Sequence, residues 1–320
     1  MSSVVVIGSF NVDHVWSCDA LPRAGETLTG AYRSGPGGKG FNQAVAAARA
    51  GAATSFACAL GDDAGAQLAR ILAVADGIDL RDARSELPTG TAGIFVDVQG
   101  RNSIVIGAGA NGTLSPGFVD QQRDAIERAT VLLAQLESPP DAIAQALRLA
   151  RAHGVLAMLN PAPANAAPSP ALLALADVLT PNETEFSALL EGHLDERVDP
   201  ASVAGMDDAA LHALCRRLLP DGAVVVTLGA SGVFVSHADT NRRGDGRHWY
   251  RIAAEPARVV DTTGAGDAFN GALAASLASA TRAAFAEHIM FANRYAAVST
   301  ESAGAAVSMP RLADVQARFP

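Results

Sequence analysis

The chain has 320 residues, 49% of them hydrophobic, 18% charged and 5% aromatic. A chain of this length can bury roughly three quarters of its unfolded surface, so it needs no disulfide or metal staple, and its apolar content excludes intrinsic disorder. The formal charge of −9, without a long cluster of Lys and Arg, excludes a nucleic-acid-binding face, so a bound anion must be met locally by backbone dipoles and a few cations.

In chain order, residues 4–7 form a β-branched run ending at Gly8 and predict a buried parallel strand. Residues 41–51 are rich in strong helix formers and stop at Gly51, which predicts a helix. A strand over 56–60 and a helix over 63–74 follow. Further strands are expected over 131–135, 155–159, 178–180 and 224–228, with helices over 141–152 and 209–219. From about Gly264 the chain is mainly helical. This alternation predicts an α/β fold in three layers, a mostly parallel central sheet covered by helices on both faces.

Two segments break the alternation. Residues 14–33 and 92–106 read as short strands with no helix after them, the second carrying the turn Gln99-Gly100-Arg101-Asn102, and they are expected to pair into a small β flap. Residues 236–249 read as a polar hairpin or loop, and residues 192–206 as a surface insertion. The whole of 1–320 is read as one domain without repeats. Cys18, Cys58 and Cys215 lack zinc or redox spacing, and no secretory or membrane-spanning pattern is present. A cytoplasmic protein with reduced thiols, bound to no membrane, is expected.

Three loops carry chemistry. Gly35-Pro36-Gly37-Gly38-Lys39-Gly40 satisfies G-x-G-x-x-G, with Asp62 about twenty residues on, as in a dinucleotide site. The stretch before it belongs to the flap rather than to the first buried strand, which argues against a nicotinamide oxidoreductase. Asp261-Thr262-Thr263-Gly264-Ala265-Gly266-Asp267 opens a helix, where small residues let backbone N–H groups converge into an anion cradle. Asp267 in the first turn complements the helix dipole; beside an anion cradle it is also placed as a proton acceptor, the pairing that phosphoryl transfer to a hydroxyl requires. Asn182 and Glu185 have capping-box spacing, and Glu185 could equally hold hydrated Mg²⁺ near a triphosphate. Asn11 and Asp13, two apart on one face of an extended segment, and Glu137, after another strand, place polar groups at strand ends, as a ligand with several hydroxyls needs.

Together these motifs resemble the ribokinase family of sugar kinases. The resemblance covers nearly the whole chain: GSFNVDH at 8–14, PRAGET at 22–27, GGKGFNQAVAA at 37–47, GAGANGTLSP at 107–116 and LLAQLESP at 132–139. It continues through LNPAPA at 159–164, TPNETE at 180–185, TLGASG at 227–232 and VDTTGAGDAFNGAL at 260–273. It implies an ATP-dependent kinase acting on the primary 5-hydroxyl of D-ribose, with Asp267 as base and Gly264, Ala265 and Gly266 as anion hole. It further implies sugar contacts at Asn11, Asp13, Gly38, Lys39, Gly40, Asn42 and Glu137. ATP contacts are implied at Asn182, Glu185, Thr227, Gly229, Ser231, Gly232 and Asn293, with Mg²⁺ near Glu185. A site for K⁺ is implied at Asp261, Thr263, Ser299, Ser302, Gly304 and Ser308. The flap corresponds to the family's lid, commonly also its homodimer contact. Phe10 and Phe41 depart from the family pattern; they either pack into the core or face the pocket, where they would favour another pentose, a deoxy sugar or a nucleoside. A sugar-binding regulator without turnover is the reading from a different class, and the intact Asp267 argues against it.

Overall fold

The computed structural model describes residues 3–279 and 283–320. Among the described residues, nine strands form the main sheet, in the order β13-β12-β11-β10-β9-β8-β1-β4-β5. They are β1 (Ser3–Ile7), β4 (Ala53–Leu60), β5 (Asp79–Arg84), β8 (Val131–Ala134), β9 (Leu156–Leu159), β10 (Val178–Leu179), β11 (Ala223–Thr227), β12 (Val233–Ser236) and β13 (Trp249–Ile252). Strands β5 to β11 across the sheet are parallel, and β12 and β13 close one side antiparallel.

The alternation along β1 shows why the layers form. Val4 and Val6 join one apolar cluster with the helices Lys39–Arg49 and Ala265–Ser279, while Val5 and Ile7 join the other with Pro140–Ala152. A strand buried on both faces needs a helix layer on each. Phe10 and Phe41 are 0% and 1% exposed and meet edge to face at 5.0 Å, so both rings fill the core rather than a pocket.

A second sheet has the order β3-β2-β6-β7, from β2 (Asn11–Cys18), β3 (Ala31–Gly37), β6 (Gly90–Asp97) and β7 (Asn102–Gly107). It is the expected flap with wider bounds than 14–33 and 92–106. Gly35-Pro36-Gly37 is not a phosphate turn but extended backbone paired with Asn11–Asp13. The glycine pattern therefore ends a strand of the small sheet, and Asp62 is spent on an exposed ion pair with Arg84.

One strand was not anticipated, and one further expectation is corrected. Strand β5 carries Asp79, Arg81, Asp82 and Arg84, a polarity tolerated at a sheet edge that hides it from apolar-pattern reading. Residues 192–206 are not a loose insertion: helix Glu183–Leu194 runs through Gly192, and Pro200–Val203 forms a turn that buries Val203. Arg251 fastens this turn through the carbonyls of Ala204 and Met206. Among the described residues, no helix is long and apolar enough to cross a membrane.

Candidate active site

Open parallel sheets present their loops at the carboxyl ends of the strands. Here those ends carry Asn11 after β1, Gln135 and Glu137 after β8, Asn160 after β9, Thr180 and Asn182 after β10, and Thr227 at the end of β11. The helix Ala265–Ser279 crosses the same edge. Gly271 lets it approach the Lys39–Arg49 helix, since a Cβ there would lie 2.4 Å from the Gln43 carbonyl oxygen and 2.5 Å from Ala46 Cβ. This close crossing brings two helix N-termini to one point.

Asp267 sits at that point, 7% exposed, in the first turn of its helix. Asn42 Nδ2 donates to its Oδ2 at 2.9 Å and Gln43 Nε2 to its Oδ1 at 2.8 Å. Burial raises its pKa above the ordinary carboxylate value; Lys39 and the two amides oppose the rise, and Glu137 adds to it. Just before it, Gly264 has φ 76 and packs against Ala305, so the nest Gly264-Ala265-Gly266 needs a glycine where the chain turns into the helix.

The residues marked as sugar contacts converge beside Asp267. Asp13, on β2, has its carboxyl pushed up to about 6 by burial and by the neighbouring carboxylates of Glu137 and Asp267, with Arg33 acting in the opposite sense. Gly37 makes room for it, since a Cβ there would overlap the Asp13 carboxylate. Glu137 Oε2 accepts from Ser9 Oγ at 2.6 Å and from the Lys39 amide at 3.0 Å. The Lys39 ammonium is pulled down by burial but held above its ordinary pKa overall by Asp267, Glu137 and Glu185. Gly38 caps the helix at φ 87 and leads into Gly40, which packs on the backbone of Gly8 and Ser9. Asn42 Oδ1 is a buried acceptor with no partner among the described residues.

The residues marked for nucleotide line an adjoining rim. Asn182 bridges to Thr227, and its side chain makes the capping box with Glu185. The Glu185 carboxyl is raised by burial, against the Asn182 amide bond and Lys39. Gly229 and Ser231 form a single 3-10 turn, and Gly232 passes against the Ile252 carbonyl. Asn293 Nδ2 donates to the Ala253 carbonyl at 2.6 Å, which ties the segment after β13 to helix Phe285–Ser299.

Of the six residues marked for a monovalent cation, Asp261, Thr263 and Gly304 are tied directly: the Thr263 and Gly304 amides each donate to the Asp261 carboxylate at 2.9 Å. Burial acts to raise the Asp261 pKa, but these bonds outweigh it and hold the carboxyl below its ordinary value. Ser299 and Ser308 are buried and donate to the carbonyls of Ala296 and Ala305, while Ser302 lies exposed between them.

Sequence reading missed several polar residues that hold this arrangement. Asn111 receives the Phe10 amide at 3.0 Å and donates to the Phe10 carbonyl and to Asn11 Oδ1, pinning the base of the small sheet. Gln43, Gln135, Asn160, Thr180 and Asn270 form a buried chain behind Asp267. All five fall within quoted motifs, and all but Asn160 share theirs with residues given roles, Gln135 standing two positions before Glu137; only their contacts distinguish them.

Comparisons with known proteins identify the family. Residues 1–312 match the model of the pfkB family carbohydrate kinases. The chain is 38% identical to a ribokinase of Haemophilus influenzae over 96% of this chain and 95% of that protein. It is 36% identical to a bifunctional ribokinase/ribose-5-phosphate isomerase A of Fructilactobacillus sanfranciscensis over 97% of this chain, but spans only 55% of that protein. Among solved structures, ribokinase from Giardia lamblia superposes with a TM-score of 0.87 at 29% identity, covering 99% of each chain. Arabidopsis thaliana ribokinase complexed with ribose and ATP gives 0.80 at 29% identity, covering 98% of this chain and 97% of that one. The chain belongs to the pfkB family of carbohydrate kinases.

Proposed function

We propose that this chain phosphorylates the 5-hydroxyl of D-ribose with ATP, giving ribose 5-phosphate and ADP, and that Asp267 is the base. The observation that carries this reading is the buried Asp267 carboxylate, oriented through both oxygens at the mouth of the Gly264–Gly266 nest. Asp13, Glu137, Asn11 and Asn42 then supply the several acceptors and donors that a pentose needs once it leaves water. The unpartnered Asn42 Oδ1 is suited to accept from a sugar hydroxyl.

Phosphoryl transfer depends mostly on positioning and charge stabilisation. The Ala265 N–H donates to the Thr262 carbonyl at 3.1 Å, so the remaining N–H groups at the start of the helix and the Lys39 ammonium meet the developing negative charge, and Asp267 takes the hydroxyl proton. Burial raises its pKa and so strengthens it as a base, while Lys39 and the two amide donors favour its ionised form. The small sheet carries Asn11 and Asp13 and acts as a lid that excludes water, and the whole chain serves as one catalytic domain. The exposed Ile104, Val105 and Ile106 on its edge strand β7 supply the contact for a homodimer.

The donor chemistry fits the two cations. Mg²⁺ would arrive hydrated with a triphosphate and be met by the carboxylate of Glu185, which also closes the Asn182 capping box. The ionised Asp261, with hydroxyl oxygens at Thr263, Ser299 and Ser308, suits K⁺. Bound, the two ions would offset phosphate charge and stiffen the 261–264 turn. ATP use and three free, buried cysteines fit the reducing cytoplasm.

The test is ADP release across pentoses, deoxy sugars, hexoses and nucleosides, for wild type and Asp267→Asn. Ribose-selective turnover that is lost in Asp267→Asn, with ATP binding retained, is expected. Turnover on another substrate alone overturns the choice of sugar, and near-normal turnover in the variant removes Asp267 from the base role.

A further inference from the structure

Behind Asp267 lies a chain of amides that touches none of the residues assigned to nucleotide. Gln135 Nε2 donates to Gln43 Oε1 at 2.6 Å, and Gln43 Nε2 donates to both Asp267 Oδ1 and Asn160 Oδ1, at 2.8 and 3.0 Å. Asn160 Nδ2 donates in turn to the Thr180 carbonyl at 2.8 Å. Gln43 and Gln135 are both fully buried.

The direction of every bond follows from the carboxylate. An ionised carboxylate only accepts, so Gln43 must turn its NH₂ toward Asp267. Its carbonyl then faces Gln135, which must answer with its own NH₂. The Gln135 carbonyl is left as a buried acceptor beside Gly8, where even a methyl group would collide with it. That leftover atom is the cost of the polarity the rest of the chain requires. We propose that Gln135 and Gln43 form a positioning relay: Gln135 prevents the Gln43 amide from flipping, and Gln43 holds Asp267 aimed at the substrate hydroxyl.

The proposal rests on Asp267 being the base. A flipped Gln43 would set oxygen against oxygen, so the carboxylate would turn away or take a proton. The charged groups that act on Asp267 from the surrounding elements, namely Lys39, Glu137, Asp13 and Glu185, are unchanged by altering either glutamine.

The experiment measures kcat, both KM values and the pH dependence of kcat for the full chain with ATP and ribose. The proteins are wild type, Asp267→Asn, Gln43→Met, Gln135→Met and the double methionine variant. Gln43→Met is expected to lower kcat about 100-fold, as misplacing a reacting group does, with KM for ATP little changed. Its acid limb should move up by about one pH unit, because a donor to the ionised form is lost. Gln135→Met is expected to move kcat and the limb the same way by a smaller amount, and the double variant should match Gln43→Met. Multiplying effects in the double variant, or an unmoved acid limb in folded Gln135→Met, overturns the relay. If Gln135→Met fails to fold, Gln135→Leu carries the same test: it too lacks a donor to Gln43 Oε1, and an unmoved acid limb in it refutes the proposal. Turnover in Asp267→Asn would instead refute the base assignment, so the two failures are distinct.

Discussion

Asp13 offers a test in which stability and binding move in opposite directions. Its carboxyl rises from an ordinary 3.8 to about 6, through burial first and then the charges of Glu137 and Asp267. The folded protein therefore holds this proton to higher pH than the unfolded chain does, and stability falls as pH rises between the two values. At about 1.36 kcal/mol per pH unit the penalty approaches about 3 kcal/mol at pH 7 and is roughly half that at pH 5. Asp13→Asn removes the ionisation, so urea unfolding should find the variant more stable, by a margin that grows from pH 5 to pH 7. The same change removes a charged acceptor worth about 1.5–3 kcal/mol to a bound hydroxyl, which raises KM for ribose on the order of ten- to hundredfold. A stability difference that is flat with pH, or a variant less stable throughout, would refute the electrostatic reading of this site.

Asn111→Leu strips the partners from Phe10 N, Phe10 O and Asn11 Oδ1. It should cost about 2–3 kcal/mol in urea unfolding and raise KM for ribose, and an unchanged KM would show that Asn11 does not need this anchor. Gly264→Ala forces a left-handed residue to carry a Cβ 3.0 Å from Ala305, so the unfolding midpoint should fall by the equivalent of about 1–2 kcal/mol. In the same variant kcat should fall about 100-fold through the distorted anion hole, and wild-type kcat would show that the nest is not that hole. Exchanging K⁺ for Na⁺ should slow ADP release, and Asp261→Asn should abolish the difference; a variant that still discriminates the two ions rules Asp261 out as the ligand.

Legibility varied with the range of the interactions involved. The strands and helices around Val4–Ile7, Lys39–Arg49 and Ala265–Ser279 follow from β-branched runs, alanine-rich stretches and glycine stops, all local signals. Strand β5 escaped because an edge position permits charges that no apolar pattern reveals. Asp267 stood out in the sequence because it follows directly on the three-residue glycine nest Gly264-Ala265-Gly266. Gln43 was not, although it adjoins Asn42. The two amides divide one carboxylate between them only because Gly271 lets the second helix come within contact of the first.

The amino-acid sequence by itself determined the layered α/β architecture, the glycine turn that opens the helix at Ala265, the capping box at Asn182 and the sugar-kinase family, since each depends on residues close in the chain or on motif order. Tertiary structure alone decided that Phe10 and Phe41 belong to the core and that Gly35-Pro36-Gly37 ends a strand. It also decided that Asn111 and Asn11 meet across 100 positions and that Gln135 and Gln43 meet across 92. The physical reason is that a buried polar group must find a partner wherever the fold brings one. Which partner that is depends on how helices and strand ends pack together, a property of the whole chain that no local segment encodes.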